Sequence, residues 1–416
     1  MEKLVVVGTG HAASALLSSL ARHHYQGRVT LVGDETHPPY NRPPLSKKFL
    51  SEEINPAELY FRRPEQLAAS GIDLHLGDGA AKLDTDRRTI TLASGSSVEY
   101  SVLVLATGAL PRKLPIGVDE SGGGVHVLRN IDDALRLKAD LRAARSIVVI
   151  GAGYVGLEVA ASCALLGKEV TVVEAATRVL ARVAGSELAG IIQHVHESHG
   201  VSFLLETTVT RVSKAAGKFN LELSGGDRLT ADIVLCAIGA VPNIDLAEAA
   251  GLAIDRGIVT DTHCLTADDR IYAIGDCATF PRDGTFVRLE SVQNASDQAE
   301  TVARRICGLD AEYDPLPWFW SDQYDLRLQS VGLATGAEGS IIRSRENSHS
   351  IWHHRDGRII ALDTINASRD HMLARKVLAR GELPLNLLQQ VEFDLSRIWA
   401  APNQRSNAVS SERVSS

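Results

Sequence analysis

Leu4-Val5-Val6-Val7-Gly8-Thr9-Gly10-His11-Ala12-Ala13 opens the chain and decides how the rest is read. The apolar residues are mostly β-branched and too few for a buried helix, so they predict a strand running straight into a glycine turn, with a helix following to about Arg22. A second apolar run, Val29 to Val32, ends at Gly33-Asp34-Glu35. That places an acid, Asp34 or Glu35, at the tip of a second strand, where a dinucleotide fold hydrogen-bonds a ribose. Gly8 permits the tight turn, Gly10 lets backbone approach a pyrophosphate, and Ala13 keeps the helix close to the strand. The helix start at His11 and Ala12 then faces the phosphates.

The same unit is written a second time. Ser146-Ile147-Val148-Val149-Ile150 leads into Gly151-Ala152-Gly153-Tyr154-Val155-Gly156, a helix follows, and Val170-Thr171-Val172-Val173 ends at Glu174. The two copies also close alike. The run Tyr100 to Leu105 stops at Ala106-Thr107-Gly108-Ala109-Leu110-Pro111, and Ile233 to Cys236 stops at Ala237-Ile238-Gly239-Ala240-Val241-Pro242. A glycine turn and an A-x-G-A-x-P turn about 90 to 100 residues apart therefore bracket each half, which predicts two nucleotide-binding domains of one design.

Pro38, Pro39, Pro43 and Pro44 cannot belong to a helix interior or a central strand, so residues 38–48 form an ordered loop presenting Arg42 and Lys47, with a helix starting near Leu45. His126 to Ala134 reads as a strand turning into a helix capped by Asn130 or Asp132. Ile271 to Gly275 is a strand carrying Asp276 at its C-terminal end, the edge where ligands gather in parallel α/β sheets. Glu290-Ser291-Val292 opens a helix to about Cys307. Beyond it the pattern alternates as antiparallel strands, a helix follows from about Ser368 to Leu378, and residues 402–416 read as a disordered tail.

With 416 residues the chain can bury ample core in two or three domains. The 43 basic and 51 acidic residues leave a net charge of −8, which argues against nucleic acid as a partner. No apolar run approaches the roughly 18 residues of a membrane span. The first strand starts almost at Met1, so no signal peptide and a cytoplasmic location are expected. Cys163, Cys236, Cys264, Cys277 and Cys307 lack C-x-x-C spacing, so neither a metal site nor a disulfide framework is expected.

With these residues in view, the chain resembles the FAD-dependent pyridine nucleotide reductases, and among them the ferredoxin reductase components of bacterial oxygenase systems, the family of putidaredoxin reductase and the aromatic-ring dioxygenase reductases. The likeness runs to about Ala400. Its specific parts are Gly33-Asp34-Glu35, Arg42-Pro43-Pro44-Leu45-Ser46-Lys47, Ala106-Thr107-Gly108, Tyr272-Ala273-Ile274-Gly275-Asp276, Arg288-Leu289-Glu290-Ser291, and Pro317-Trp318-Phe319-Trp320-Ser321-Asp322-Gln323.

The resemblance implies an α/β fold, glutathione reductase-like. Residues 1–112 and 243–317 would form a discontinuous FAD domain, 113–242 an NAD domain, and 318–401 a C-terminal α+β domain with an antiparallel sheet. Gly8, Gly10, His11 and Ala12 would meet the FAD pyrophosphate, with Asp34 or Glu35 near the adenosine ribose. Arg42, Lys47, Ala106, Thr107, Gly108 and Arg129 would line the same cofactor. Gly275 and Asp276 would meet the ribityl chain, the stretch Glu290, Ser291, Val292 and Ala295 the pyrimidine end, and Trp320 would stand beside the isoalloxazine.

In the second half, Gly151, Gly153, Tyr154, Val155, Gly156 and Gly239 would hold the nicotinamide cofactor. Glu174 would favour NADH over NADPH by repelling a 2′-phosphate, with Arg178 the nearby cation opposing it. Tyr154 would gate the nicotinamide pocket. Glu158 would pair with Lys47 near the flavin N5 and organise hydride transfer.

Many relatives of this family pass electrons to a cysteine pair after the second strand, and here residues 37–50 contain no cysteine. Electrons would then leave the flavin directly, which suits a one-electron [2Fe-2S] ferredoxin that feeds a monooxygenase or dioxygenase. Docking would involve Arg62, Arg63, Arg288, Arg304, Arg305 or Arg343. A same-fold alternative is an NADH oxidase or diaphorase acting on oxygen or quinone. An apoptosis-inducing-factor-like flavoprotein, acting through protein association, is the alternative from another class.

Overall fold

The computed structural model describes residues 2–399 except 53, 117–124, 283, 382 and 391, so the tail expected at 402–416 lies outside the described residues. The chain divides into two units, one formed by Met1–Pro317 with Asp322–Asp325, the other by Trp318–Ser321 with the described residues from Leu326 onward.

In the first unit the opening run forms the strand Lys3–Val7, central in a parallel sheet ordered Ile271–Ala273, Val102–Leu105, Lys3–Val7, Arg28–Gly33, Ile72–Leu76. Its neighbours lie in register with Val7 opposite both Val32 and Leu105. Because strand side chains alternate, Leu4 and Val6 pack on one face under the helices His11–Arg22 and Val292–Ile306. Val5 and Val7 pack on the other with Leu83, Ile90 and Leu92 of an antiparallel meander. Leu4 and Val6 are fully buried, each contributing about 1.5–3 kcal/mol. The last strand of this sheet, Ile271–Ala273, pairs with Val102–Leu105 although the whole second half lies between them in sequence.

The second half repeats the design with a parallel sheet ordered Ser202–Leu204, Glu169–Val173, Ser146–Ile150, Ile233–Cys236. One face carries Val148, Ile150, Val173 and Val234 against Phe219 and Leu221 of a second meander, Val209–Ala215, Lys218–Leu223 and Arg228–Ala231. Two short strands, Ala109–Pro111 and Ala240–Pro242, pair antiparallel where the chain passes between the halves. Where the proline-rich loop predicts a helix near Leu45, there is a 3-10 turn at Pro43–Ser46 followed by a one-turn α-helix, Lys48–Ser51. Two successive prolines fit the first positions of such a turn, where no backbone N–H is needed.

The second unit is an antiparallel sheet ordered Trp318–Gln323, Leu326–Gly332, Arg358–Ile365, Ser348–Arg355, Gly339–Arg345, with the helix Ser368–Leu378 burying His371, Leu373, Ala374 and Val377.

His196 and His371 are buried and His11 half-buried, all three as neutral rings. His196 receives the Tyr324 hydroxyl at 3.1 Å and donates to Gln323 Oε1 at 2.8 Å. Burial lowers His11, His196 and His371 to about 4 each. A base with a lowered folded-state pKa is protonated first in the unfolded chain, so stability present above about pH 6.5 is lost as pH falls toward about 4. The melting temperature is expected to drop by about 5–10 °C between pH 7 and pH 5, and substituting His196 by Gln should flatten that dependence. Melting curves recorded across this range in buffers of equal ionic strength check it.

Candidate active site

Gly8 has φ +116°, and a Cβ there would stand 2.1 Å from the Ala106 carbonyl oxygen. The turn after the first strand thus packs directly against the turn after the strand Val102–Leu105. Gly151 repeats this with φ +103° and a Cβ 2.6 Å from the Ala237 carbonyl oxygen. The next glycine of each motif is different in kind. A Cβ on Gly10 would come no closer than 4.0 Å to any heavy atom, the Arg42 guanidinium, and one on Gly153 would meet nothing within 4 Å. These two positions are open cradles at the start of the helices His11–Arg22 and Tyr154–Leu165, and neither helix has a side-chain cap on its first N–H groups. Thr9 Oγ1, in the first turn, is buried without a hydrogen-bond partner. Uncapped helix ends and bare glycine faces fit a pyrophosphate at each turn.

Charged groups converge around the first cradle. Arg42 donates to Glu35 Oε1 at 2.5 Å and to the Arg129 carbonyl at 3.0 Å, and its guanidinium lies 4.9 Å from the centre of the Tyr40 ring. The Tyr40 hydroxyl donates to the other Glu35 oxygen at 2.6 Å. Of the two acids, Glu35 is therefore fixed in the cluster, while Asp34 is exposed at the strand tip. Arg129 Nη2 donates to Asp276 Oδ2 at 3.0 Å and sits 3.3 Å from where a Gly108 Cβ would stand. Gly275, at φ +80°, lets this turn come against Ala12 and Ala295.

Thr107 donates to the Asn243 carbonyl at 2.6 Å, tying the Ala106-Thr107-Gly108 turn to the returning chain. Glu290 accepts from Arg288 at 2.5 Å, and Ser291 caps the helix that begins at Val292 by accepting from the Asn294 N–H. His11 lies beside Asn41 at 3.3 Å, and burial keeps it neutral at pH 7.

Lys47 and Glu158 meet across the two halves. Lys47 Nζ stands 2.7 Å from Glu158 Oε2, with the carboxylate side chain 7% and the lysine 19% exposed. Glu158 and its neighbours are carried by Tyr154–Leu165, whose first turn leaves Val155 exposed and whose Gly156 packs against the Gly151 carbonyl.

In the second half Glu174 accepts from the N–H of Ala152 at 2.7 Å and of Ala176 at 2.8 Å, which pins its carboxylate beside the glycine turn. Arg178 is folded back onto the carbonyls of Val179 and Ala181. Arg182 was not evident from the sequence, yet its guanidinium stands 3.0 Å from a Cβ placed on Gly239. Trp320 belongs to the second unit, its ring 5.5 Å from Trp318 and 6.5 Å from Phe319, while the Arg375 guanidinium lies 4.1 Å from the centre of the Trp318 ring.

Four cysteines are buried and Cys307 is half-buried, none in a disulfide. Burial pushes the Cys163 thiol up to about 12 and raises Cys277, beside Asp276, as well. Among the described residues no His, Cys, Asp or Glu cluster could hold a metal ion, and no helix is long and apolar enough to cross a membrane. Of the arginines considered for docking, Arg63 and Arg304 are exposed. Arg288 and Arg305 are held by Glu290 and Asp310, and Arg343 by the Phe393 carbonyl. Arg62 has a buried nitrogen without a partner.

Comparison with known proteins agrees with this geometry. The model of the pyridine nucleotide-disulphide oxidoreductase family matches residues 2–299, and that of a reductase C-terminal domain matches 318–398. Rhodocoxin reductase of Rhodococcus erythropolis is 41% identical, over 94% of this chain and 92% of its own. Putidaredoxin reductase of Pseudomonas putida is 37% identical over 96% and 97%. The crystal structure of a covalent putidaredoxin reductase–putidaredoxin complex superimposes with a TM-score of 0.90 at 36% identity, covering 96% of this chain and 98% of that one. The chain is a member of the pyridine nucleotide-disulphide oxidoreductase family, and within it of the ferredoxin reductases.

Proposed function

We propose that this chain takes electrons from NADH and passes them, one at a time, to a [2Fe-2S] ferredoxin that supplies an oxygenase, and that it does so in the cytoplasm. The observation that carries this reading is the buried Lys47–Glu158 pair, with no cysteine among residues 37–50 of the loop that supplies the lysine, in a chain whose named relatives are reductases of small redox proteins. FAD, when bound, supplies the exchange between a two-electron donor and a one-electron acceptor.

The residues would hold it as follows. The helix start at His11 and the open face of Gly10 receive the pyrophosphate, and Arg42 neutralises it. Glu35, fixed by Tyr40 and Arg42, keeps lone pairs for the adenosine ribose. Arg129 orients Asp276 toward the ribityl chain. Gly153 and the Tyr154 helix start receive the nicotinamide cofactor's phosphates, and Lys47 with Glu158 sets the geometry where the two cofactors meet.

Glu174 selects the cofactor. Its carboxylate would accept from a 2′-hydroxyl and repel a 2′-phosphate. Glu174→Ala is expected to raise the KM for NADH about tenfold and to cut the preference for NADH over NADPH by a similar factor. Steady-state kinetics with both nucleotides check it.

The test of the proposal is NADH-dependent cytochrome c reduction by the purified yellow protein, with and without a [2Fe-2S] ferredoxin, beside its oxygen consumption. Strong stimulation by ferredoxin with little oxygen use in its absence is expected. Rapid oxygen consumption that ferredoxin leaves unchanged would overturn the reading in favour of an oxidase.

A further inference from the structure

Two serines brace the Lys47–Glu158 pair from outside it. Ser46, 5% exposed, donates its hydroxyl to Glu158 Oε2 at 2.5 Å, the same oxygen that Lys47 Nζ meets at 2.7 Å. Ser162, 6% exposed, donates its hydroxyl to the Ser46 carbonyl at 2.8 Å. Glu158 and Ser162 are four residues apart, so they share one helix face. That face sends a carboxylate and a hydroxyl into the loop of the other half, and the loop returns an ammonium and a hydroxyl.

The brace has a physical purpose. A desolvated carboxylate holds one orientation only when several donors converge on it. The lysine, on a flexible four-carbon stem, has a competing acceptor in the Pro43 carbonyl at 3.2 Å. Without the Ser46 hydroxyl, Glu158 Oε2 loses one of its donors and Lys47 can shift toward the carbonyl instead.

We propose that Ser46 is a positioning residue for hydride transfer. It fixes the Glu158 carboxylate, Ser162 fixes Ser46, and together they hold the Lys47 ammonium in one place. This rests on reading the chain as an NADH-dependent flavin reductase.

The experiment compares the FAD-loaded parent with S46A, S46T, S162A, E158A and the double variant S46A/E158A, measuring single-turnover flavin reduction against NADH concentration. S46A is expected to lower the limiting rate about tenfold while FAD affinity and the NADH dissociation constant stay within about twofold, the signature of misplacement rather than lost binding. S46T, which keeps the hydroxyl, is expected to recover to within about threefold of the parent.

Because Ser46 acts through Glu158, the double variant should be no slower than E158A alone. In the apoprotein, S162A should speed amide exchange over residues 43–51 at least about threefold, a readout independent of turnover. If S46A does not accumulate folded, S162A carries the test with an expected rate loss of about threefold. A parental rate in S46A or S162A while E158A is slow, or losses in S46A and E158A that multiply in the double variant, would overturn the positioning role alone. A parental rate in E158A would overturn the pair's role in the proposed function as well.

Discussion

Gly8→Ala is expected to give a protein that purifies without yellow colour, while Gly151→Ala stays yellow but is no longer reduced by NADH. Both substitutions put a Cβ where none fits, 2.1 Å from the Ala106 oxygen in the first case and 2.6 Å from the Ala237 oxygen in the second, on backbones at φ +116° and +103°. The obstruction is main-chain carbonyl on a central strand's exit, so it cannot rotate away as a side chain would. Relief requires the first turn to lift off its neighbour, which moves the helix start that faces the phosphates. A cost of about 4 kcal/mol or more is expected at Gly8, among the largest for single substitutions. The pair of variants separates the two halves. Absorbance at purification reads the first, and reduction of bound flavin by dithionite but not by NADH reads the second. A yellow Gly8→Ala protein of parental stability would contradict the assignment of the first turn.

Arg42→Met is expected to cost about 3 kcal/mol and to weaken FAD retention at least tenfold. The side chain serves three partners at once, the Glu35 carboxylate, the Arg129 carbonyl and the Tyr40 ring. Its loss strands Glu35, 11% exposed, with only the Tyr40 hydroxyl of those contacts. The cost is at the low end of the range for breaking a buried pair because both partners keep some solvent. Adding Glu35→Gln should restore most of the stability, since the stranded charge is gone, and none of the FAD affinity, since the cation is still missing. Denaturation of the apoproteins and FAD titration of each variant check the two halves of this expectation. FAD affinity that recovers with Glu35→Gln would show that Arg42 acts on the fold rather than on the phosphates.

Legibility in the sequence followed how tightly each residue was constrained. Gly8 and Gly151 were readable because their backbones at positive φ against a carbonyl admit no other residue comfortably, and Asp276 because a strand run ended on it. Between Asp34 and Glu35 the sequence offered no distinction, since both follow the second strand; what it did not show is that Tyr40 and Arg42, both in the proline-rich loop, hold Glu35 and leave Asp34 exposed. Asn130 rather than Asp132 caps the helix Ile131–Ala143, with Asp133 closing the cap from inside.

The meander Val209–Ala215, Lys218–Leu223, Arg228–Ala231 was not read at all. A register shift between Val209 and Arg211 leaves Thr210 and Arg211 both exposed, which breaks the alternation that marks a strand. Ser46, quoted within the loop motif, was given no role of its own, and Ser162 and Arg182 were missed, for another reason. A serine or an arginine has no pattern of its own, and each matters here only through a neighbour more than 50 residues away in sequence.

The pairing of Ile271–Ala273 with Val102–Leu105 also bears on how the chain is made. A ribosome delivers the second parallel sheet whole, from Ser146 to Cys236, before it releases the last strand of the first. The inserted half can therefore close while the opening half still shows an unpaired edge at Val102–Leu105, and slow emergence of long-range partners is when such edges recruit wrong neighbours. Order of synthesis and order of completion are thus reversed in this molecule, and its time of greatest exposure to misassembly falls while residues 106–270 are being translated.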